Sequence, residues 1–329
     1  ANLKVLKSGG KAMIVFLGVV IVLIVSQNFL AVGLANLLGV DPLVGLCTGS
    51  IPMVGGHGTA GSYGPMMENE LGIAGANVLA IAAATYGLVA GSLMGGPTAR
   101  SIIQRYNLTS TENDSEVMEL SDETAEEKAR AERVDVDSFT NAAILLIVAS
   151  GIGTLLTALF NAIKIGPFTF TFPTYIGAMV IAAIIRNFCD SKRIILPSTA
   201  IDIWGSVSLS IFLAIALMTL KLWELAGLVG GVLLVVVCQV IFMILVANFV
   251  VFRVLGRNYD AAVMCAGLCG HGLGATPSAI VNMTAVTEKY GMSRRAFMVV
   301  PIVGAFLVDI IYQPQTIAFI KFFVHGFTG

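Results

Sequence analysis

The sequence predicts an all-α polytopic membrane protein built from inverted repeats of transmembrane helices and two re-entrant hairpins, with the first repeat incomplete. Three observations lead there. Hydrophobic residues make up 57% and charged ones 12% of the chain, against roughly 25% charged in a soluble domain, and several apolar runs are long enough to cross a bilayer. Two glycine-rich stretches, Gly39–Glu70 and Asn258–Glu288, interrupt those runs. A weak internal likeness at an offset of about 220 residues relates the apolar spans that precede them.

In chain order, Lys11–Leu38 is the first span, marked in its middle by Ser26, Gln27 and Asn28. Gly39–Glu70 follows, carrying G-G-H-G-T-A-G-S-Y-G from Gly55 to Gly64, and Ile73–Gly95 is the second span. Residues 1–99 thus form a partial first repeat. Residues 100–138 are a charged linker: eleven of the twenty Asp and Glu residues fall between Glu112 and Asp137. It reads as solvent-exposed and partly helical around Asp122–Arg133. Five spans make the second repeat, 139–329: Phe139–Ile163, a short one at Phe172–Ile185, Pro197–Leu220, Leu225–Phe252 and Arg295–Val324.

The second glycine-rich stretch lies between the last two spans. Four glycines fall within Gly267–Gly274, and the run closes on Ala275, Thr276, Pro277 and Ser278. Each interior Gly costs about 1 kcal/mol against Ala and Pro about 3 kcal/mol, so an uninterrupted helix is disfavoured here. Irregular backbone at membrane depth is tolerated only where protein or a water-filled cavity surrounds it. Both stretches are therefore expected to be re-entrant, entering and leaving on one side, and to meet near the midplane. Asp41 and Asp260 are expected to cap or anchor them. Cysteines 47, 189, 238, 265 and 269 lack zinc-site spacing and read as small core residues.

Five crossings are an odd number, which leaves the two halves inverted. Charge tests the orientation independently. With the linker in the cytoplasm, sixteen of the nineteen Lys and Arg residues fall inside, and only Lys164, Lys221 and Lys321 fall outside. Lys7–Phe29 parallels Gly227–Phe249, a register that matches Ala1 with the end of the Pro197–Leu220 span. On that register the first half lacks counterparts for three spans. Internal symmetry with broken segments in corresponding positions points to the binding site of a secondary transporter.

Specific motifs narrow this further. G-S-I-P-M-V-G-G-H-G-T from Gly49, T-L-K-L-W-E-L-A from Thr219, N-Y-D-A-A-V from Asn258, G-L-G-A-T-P-S-A-I-V-N-M-T-A-V-T-E from Gly272 and V-V-P-I-V-G-A-F from Val299 resemble the bacterial sodium/glutamate symporter family. The resemblance runs through nearly the whole chain apart from the linker. It implies a bacterial inner-membrane carrier that couples L-glutamate uptake to inward sodium, works as a dimer in lipid, needs no cofactor beyond the coupling ion, and moves its hairpins as an elevator. Nucleic acid is not an expected partner, and no enzymatic activity is expected.

The residues suit such chemistry. Half-helix N-termini offer N–H donors and a favourable dipole to a dicarboxylate, and glycine lets the backbone approach closely. The expected substrate-binding residues are Gly56, His57, Gly58, Thr59, Gly274, Thr276, Ser278 and Asn282. Sodium, served by uncharged oxygens, is assigned to Ser50, Thr59, Thr276 and Asp309, the last being the only acid well inside an uninterrupted span. Plainer readings stand beside these. The glycines could serve close helix packing, and Thr59, Thr276 and Ser278 could bond a carbonyl one turn back. His57 and His271 could be structural, Asn282 a clamp, Asp309 a buried acid on a backbone donor, and Gln27, Asn28 and Gln239 mere links between helices. Two competing functions are a carrier of another dicarboxylate such as citrate or malate, and an intramembrane hydrolase using Ser278 with His271 or Ser62 with His57.

Overall fold

The structure is a computed structural model that describes residues 10–110, 134–162, 175–192, 194–218 and 229–325. Its regular elements are all helices, with no strand among the described residues. Four of them, spanning Gly10–Leu37, Ala76–Tyr106, Val136–Ala162 and Gly230–Val254, are long and apolar enough to cross a membrane. The helix expected around Asp122–Arg133 and the motif beginning at Thr219 lie outside the described residues.

The chain divides into two compact units, one of them Ala1–Ser8 with Ser115–Thr219, the other Gly9–Asp114 with Leu220–Gly329. The larger unit contains α1 (Gly10–Leu37), the short α2 (Pro42–Leu46) and α3 (Ser50–Met53), α4 (Gly56–Asn69) and α5 (Ala76–Tyr106). The smaller contains α6 (Val136–Ala162), α7 (Tyr175–Lys192) and α8 (Ser198–Met218). Returning to the larger unit, α9 (Val229–Val246) continues through a π-helical turn, Ala247–Val251, to Val254. Next come α10 (Tyr259–Leu273) and α11 (Thr276–Tyr290), then α12 (Arg294–Ile302), a second π-helical turn at Val303–Leu307, and α13 (Val308–His325).

In the larger unit one order of elements occurs twice: a long helix, a broken pair, and a long helix. Each broken pair has its second arm opening at a residue without a side-chain cap, Gly55 in one and Ala275 in the other. Their separation matches the offset of about 220 residues seen in the sequence. The outer ends are capped by side chains. Asp41 Oδ1 accepts from Leu43 N at 2.7 Å, and Asn258 Oδ1 accepts from Ala261 N at 2.9 Å. Asp260 acts as an anchor, accepting from Ser293 Oγ at 2.7 Å.

At the centre of this unit lies α10, in which every residue from Tyr259 to Leu273 except Asp260 is buried. A helix apolar and small on all sides has no solvent face to keep. Against it runs α5, whose Gly87, Gly91 and Gly95 recur at every fourth position. A Cβ at Gly87 would strike Leu273 O, one at Gly91 would lie 2.9 Å from Cys269 O, and one at Gly95 2.8 Å from Ala266 O. This glycine stripe lets the two backbones touch. The span expected to end at Gly95 runs on to Tyr106, because Ala99, Ile102 and Ile103 keep a buried face between the exposed Arg100 and Arg105. Asn107 then stops it with φ +50° and an N–H on Ile103 O.

In the smaller unit α6 and α7 cross at Gly153 and Gly177, where a Cβ on either would collide with the backbone of the other helix. Gly177 N is a first-turn donor with no intrahelical acceptor, and Thr157 Oγ1 takes its proton at 2.9 Å while donating to Gly153 O at 3.1 Å. On α8, Trp204 donates from Nε1 to Phe139 O at 3.1 Å and stacks on the Phe139 ring at 4.7 Å. The span expected to be short, Phe172–Ile185, is helical to Lys192, its last turns joined by Arg186 and Asp190 at 3.1 Å. Exchanging Gly153→Val should separate α6 from α7 and cost at least about 2 kcal/mol. A fall in thermal unfolding temperature in lipid nanodiscs, absent for the neighbouring exposed Gly151→Ala, is the measurement that checks it.

Candidate functional site

The breaks in the two pairs meet. Gly56 has φ +61°, a left-handed conformation that glycine alone adopts without strain, and a Cβ there would lie 2.8 Å from Gly274 O. The two second arms therefore begin next to each other, α4 at Gly56 and α11 at Thr276. The first-turn N–H groups of a helix have no partner within it, and both helices point their positive dipole ends at the junction. Gly58 and Pro277 are the exposed points of the two tips, while His57 and Ser278 are buried beside them.

Side chains from other helices take up backbone groups that the breaks release. On α1, Gln27 donates from Nε2 to Gly272 O at 2.8 Å, and Asn28 Oδ1 accepts from Ser50 N at 2.9 Å. Gln239 on α9 holds the same segment of α1 through Gln27 O at 2.9 Å. These three polar residues do join helices, and they do so at the breaks. Within the second tip, Gly270 O receives the N–H groups of both Gly274 and Ala275.

His57 Nε2 lies 3.0 Å from Thr85 Oγ1 on α5, and Thr85 gives its own proton to Ile81 O, so the imidazole nitrogen is the donor. Thr59 Oγ1 lies 2.6 Å from Ile51 O and 3.2 Å from Gly56 O, clasping the two arms of the first pair. Thr276 and the His271 ring both face Gly304 in the second π-helical turn, where a Cβ would sit 3.0 Å from Thr276 Oγ1 and 3.0 Å from His271 Nδ1. Both His271 ring nitrogens are buried without a hydrogen-bond partner. Asn282 stands on the stem of the second pair, where Nδ2 donates to Gly91 O at 2.9 Å and to Ala266 O at 3.3 Å, a clamp between α11, α5 and α10. Asp309 is half-buried at the start of α13. Neither Ser–His pair forms: Ser62 Oγ donates to Gly58 O and His57 is occupied by Thr85.

Among the described residues, no group of three or more His, Cys, Asp or Glu side chains is placed to hold a metal ion. A site built from helix termini, small residues and uncharged oxygens suits a small anion and a monovalent cation better than hydrolytic chemistry. Residues 1–292 match the family described as Sodium/glutamate symporter. The chain belongs to the sodium/glutamate symporter family. It is 42% identical over 315 residues to the sodium/glutamate symporter of Escherichia coli (strain K12), an alignment covering 94% of this chain and 76% of that protein. With the sodium/glutamate symporter of Haemophilus influenzae it shares 40% identity over 312 residues, again 94% of this chain and 76% of the relative. No solved structure matches. These relatives are named symporters rather than enzymes, and with the apolar helices this makes the chain a membrane transport protein.

Several residues around the two breaks were not read from the sequence. The stripe Gly87, Gly91, Gly95 was visible as three glycines four apart, a signal of close helix packing. On α13 the polar run Y-Q-P-Q-T from Tyr312 to Thr316 stands out in an apolar span. Tyr312 OH reaches Ser50 O at 3.2 Å, and Gln313 Oε1 accepts from Tyr63 OH at 2.6 Å. Replacing Asn282→Leu should remove the cross-helix bonds to Gly91 O and Ala266 O, whose own helical bonds remain, and destabilise the protein by about 0.5–1.5 kcal/mol. Thermal unfolding in nanodiscs without substrate is the readout, and Asn282→Gln should recover part of the loss.

Proposed function

We propose that this chain is the core of a carrier that couples L-glutamate uptake to an inward sodium gradient across the bacterial inner membrane. The observation that carries the reading is the junction of the two breaks, where Gly56 meets Gly274 and two helix N-termini face one point. A dicarboxylate losing water there gains first-turn backbone donors from both arms, at Gly56, His57 and Gly58 on one side and Thr276 and Ser278 on the other, with the Thr59 hydroxyl beside them and Gly274 allowing close approach. Asn282 holds the second arm in register. Sodium takes uncharged oxygens near the breaks, drawn from Ser50, Thr59 and Thr276, with Asp309 supplying a negative charge. Uptake of labelled glutamate into vesicles holding the protein should require inward sodium, and equal uptake on a proton gradient alone would overturn the coupling. Aspartate, citrate and malate as competitors fix the selectivity.

The two broken pairs are re-entrant and inverted, the linker 100–138 is cytoplasmic, and the protein works as a dimer. The repeated element order, the matched N-caps and the basic-residue bias support this topology. Both tips lie in one compact unit, which suits alternating access by a body that moves as a whole, an elevator. A cysteine at Ser115 should be unreactive towards an impermeant thiol reagent added outside intact cells, whereas one at Gly329 should react. The reverse pattern would invert the orientation.

A further inference from the structure

Away from the two breaks, a cavity of about 290 Å³ opens where the span Gly10–Leu37 begins and the span Gly230–Val254 ends. Both helices are long enough to cross a bilayer, so their ends lie at its surface. The lining combines Val15 and Val254 from these spans with Lys11, Asn258, Asp260 and Arg295. Lys11 and Arg295 are exposed, and among the described residues neither side chain has an ion-pair or hydrogen-bond partner. The one carboxylate, Asp260, is engaged by Ser293 Oγ at 2.7 Å. That bond joins the N-terminal ends of α10 and α12, whose caps are Asn258 and Ser293.

We propose that this cavity seats the headgroup of an anionic phospholipid, with its phosphodiester taken by Lys11 and Arg295. Two cations against one carboxylate leave a charge of one to be balanced, which is the charge of a phosphodiester. Two helix N-termini beside the cavity add dipoles of the same sign. Arg257, exposed and set between the lining residues Gly256 and Asn258, raises the local positive potential further. The volume is just below the roughly 300 Å³ of the smallest ligand pockets, which suits a headgroup whose chains remain outside. The walls show where those chains go. Ile14 is 73% and Val254 52% exposed, and Val250, one turn deeper in the same span as Val254, is exposed as well. An apolar face that runs from a cationic cavity into the depth of a span fits an amphipathic lipid, whereas a free anion would use only the cavity. Basic pockets between membrane helices take anionic headgroups in this way. A lipid seated there ties the start of α1 to the stem of the second broken pair, and it does so whatever the protein carries.

The test is thermal unfolding of the purified protein in detergent micelles titrated with short-chain phosphatidylglycerol, with phosphatidylcholine of equal chain length and inorganic phosphate as separate arms. Phosphatidylglycerol should raise the unfolding temperature saturably, and the other two should not. Lys11→Gln and Arg295→Gln should each raise the half-saturating lipid fraction by about fivefold, while Lys11→Arg keeps the charge and the affinity. Both side chains are exposed, so these variants keep the fold. Arg105→Gln, an exposed cation at the end of α5 outside the lining, should leave the titration unchanged. An equal loss in Arg105→Gln would reduce the effect to diffuse attraction and overturn the site, as would unchanged titrations in the Lys11 and Arg295 variants. Equal stabilisation by inorganic phosphate would overturn the lipid as its occupant, and no stabilisation by phosphatidylglycerol would overturn the proposal outright.

Discussion

Backbone groups freed where a buried helix breaks must find partners in the protein, and this constraint organises the larger unit. Each broken pair ends an α-helix in the middle of the fold and leaves carbonyls and N–H groups without their usual acceptors and donors. Gln27, Asn28, Thr59 and Tyr312 meet those groups from three directions. The surrounding helices are therefore more than hydrophobic packing. They hold open a region of polar backbone that an ordinary helical bundle would close.

The glycines serve the same end in a different way. On α5 and α10 they bring backbones into contact, which excludes lipid and water from the stems of the pairs. At Gly56 the need is conformational, because the chain turns through φ +61° where the two tips meet. In the proposed carrier, close packing and binding are parts of one arrangement: stems made by small residues carry the two tips. The smaller unit uses glycine too, at Gly153 and Gly177, and there Thr157 satisfies the first-turn donor of Gly177.

Much of the helical layout was legible in advance. The first, sixth and ninth helices were found from apolar length alone, and both breaks from clusters of Gly, Thr, Pro and Ser. Boundaries were less legible where composition misled. Arg100 and Arg105 made the end of α5 look like solvent-exposed linker, whereas Ala99, Ile102 and Ile103 between them continue its buried face. The tip residues were named from their neighbours in sequence. Their individual bonds were not, since Thr85 for His57 and Gly91 for Asn282 come from a different helix.

The sequence by itself determined that the chain is a membrane protein, where four of its long apolar helices run, where two of its segments break, and which family it resembles. Those properties are local: hydropathy, helix propensity and motif spacing act over tens of residues. Only the tertiary structure decided which groups meet at the breaks. Gln27 and Gly272 are 245 residues apart, and Tyr312 and Ser50 are 262 apart. Their pairing depends on how complete helices pack, and no short-range pattern of residues encodes it.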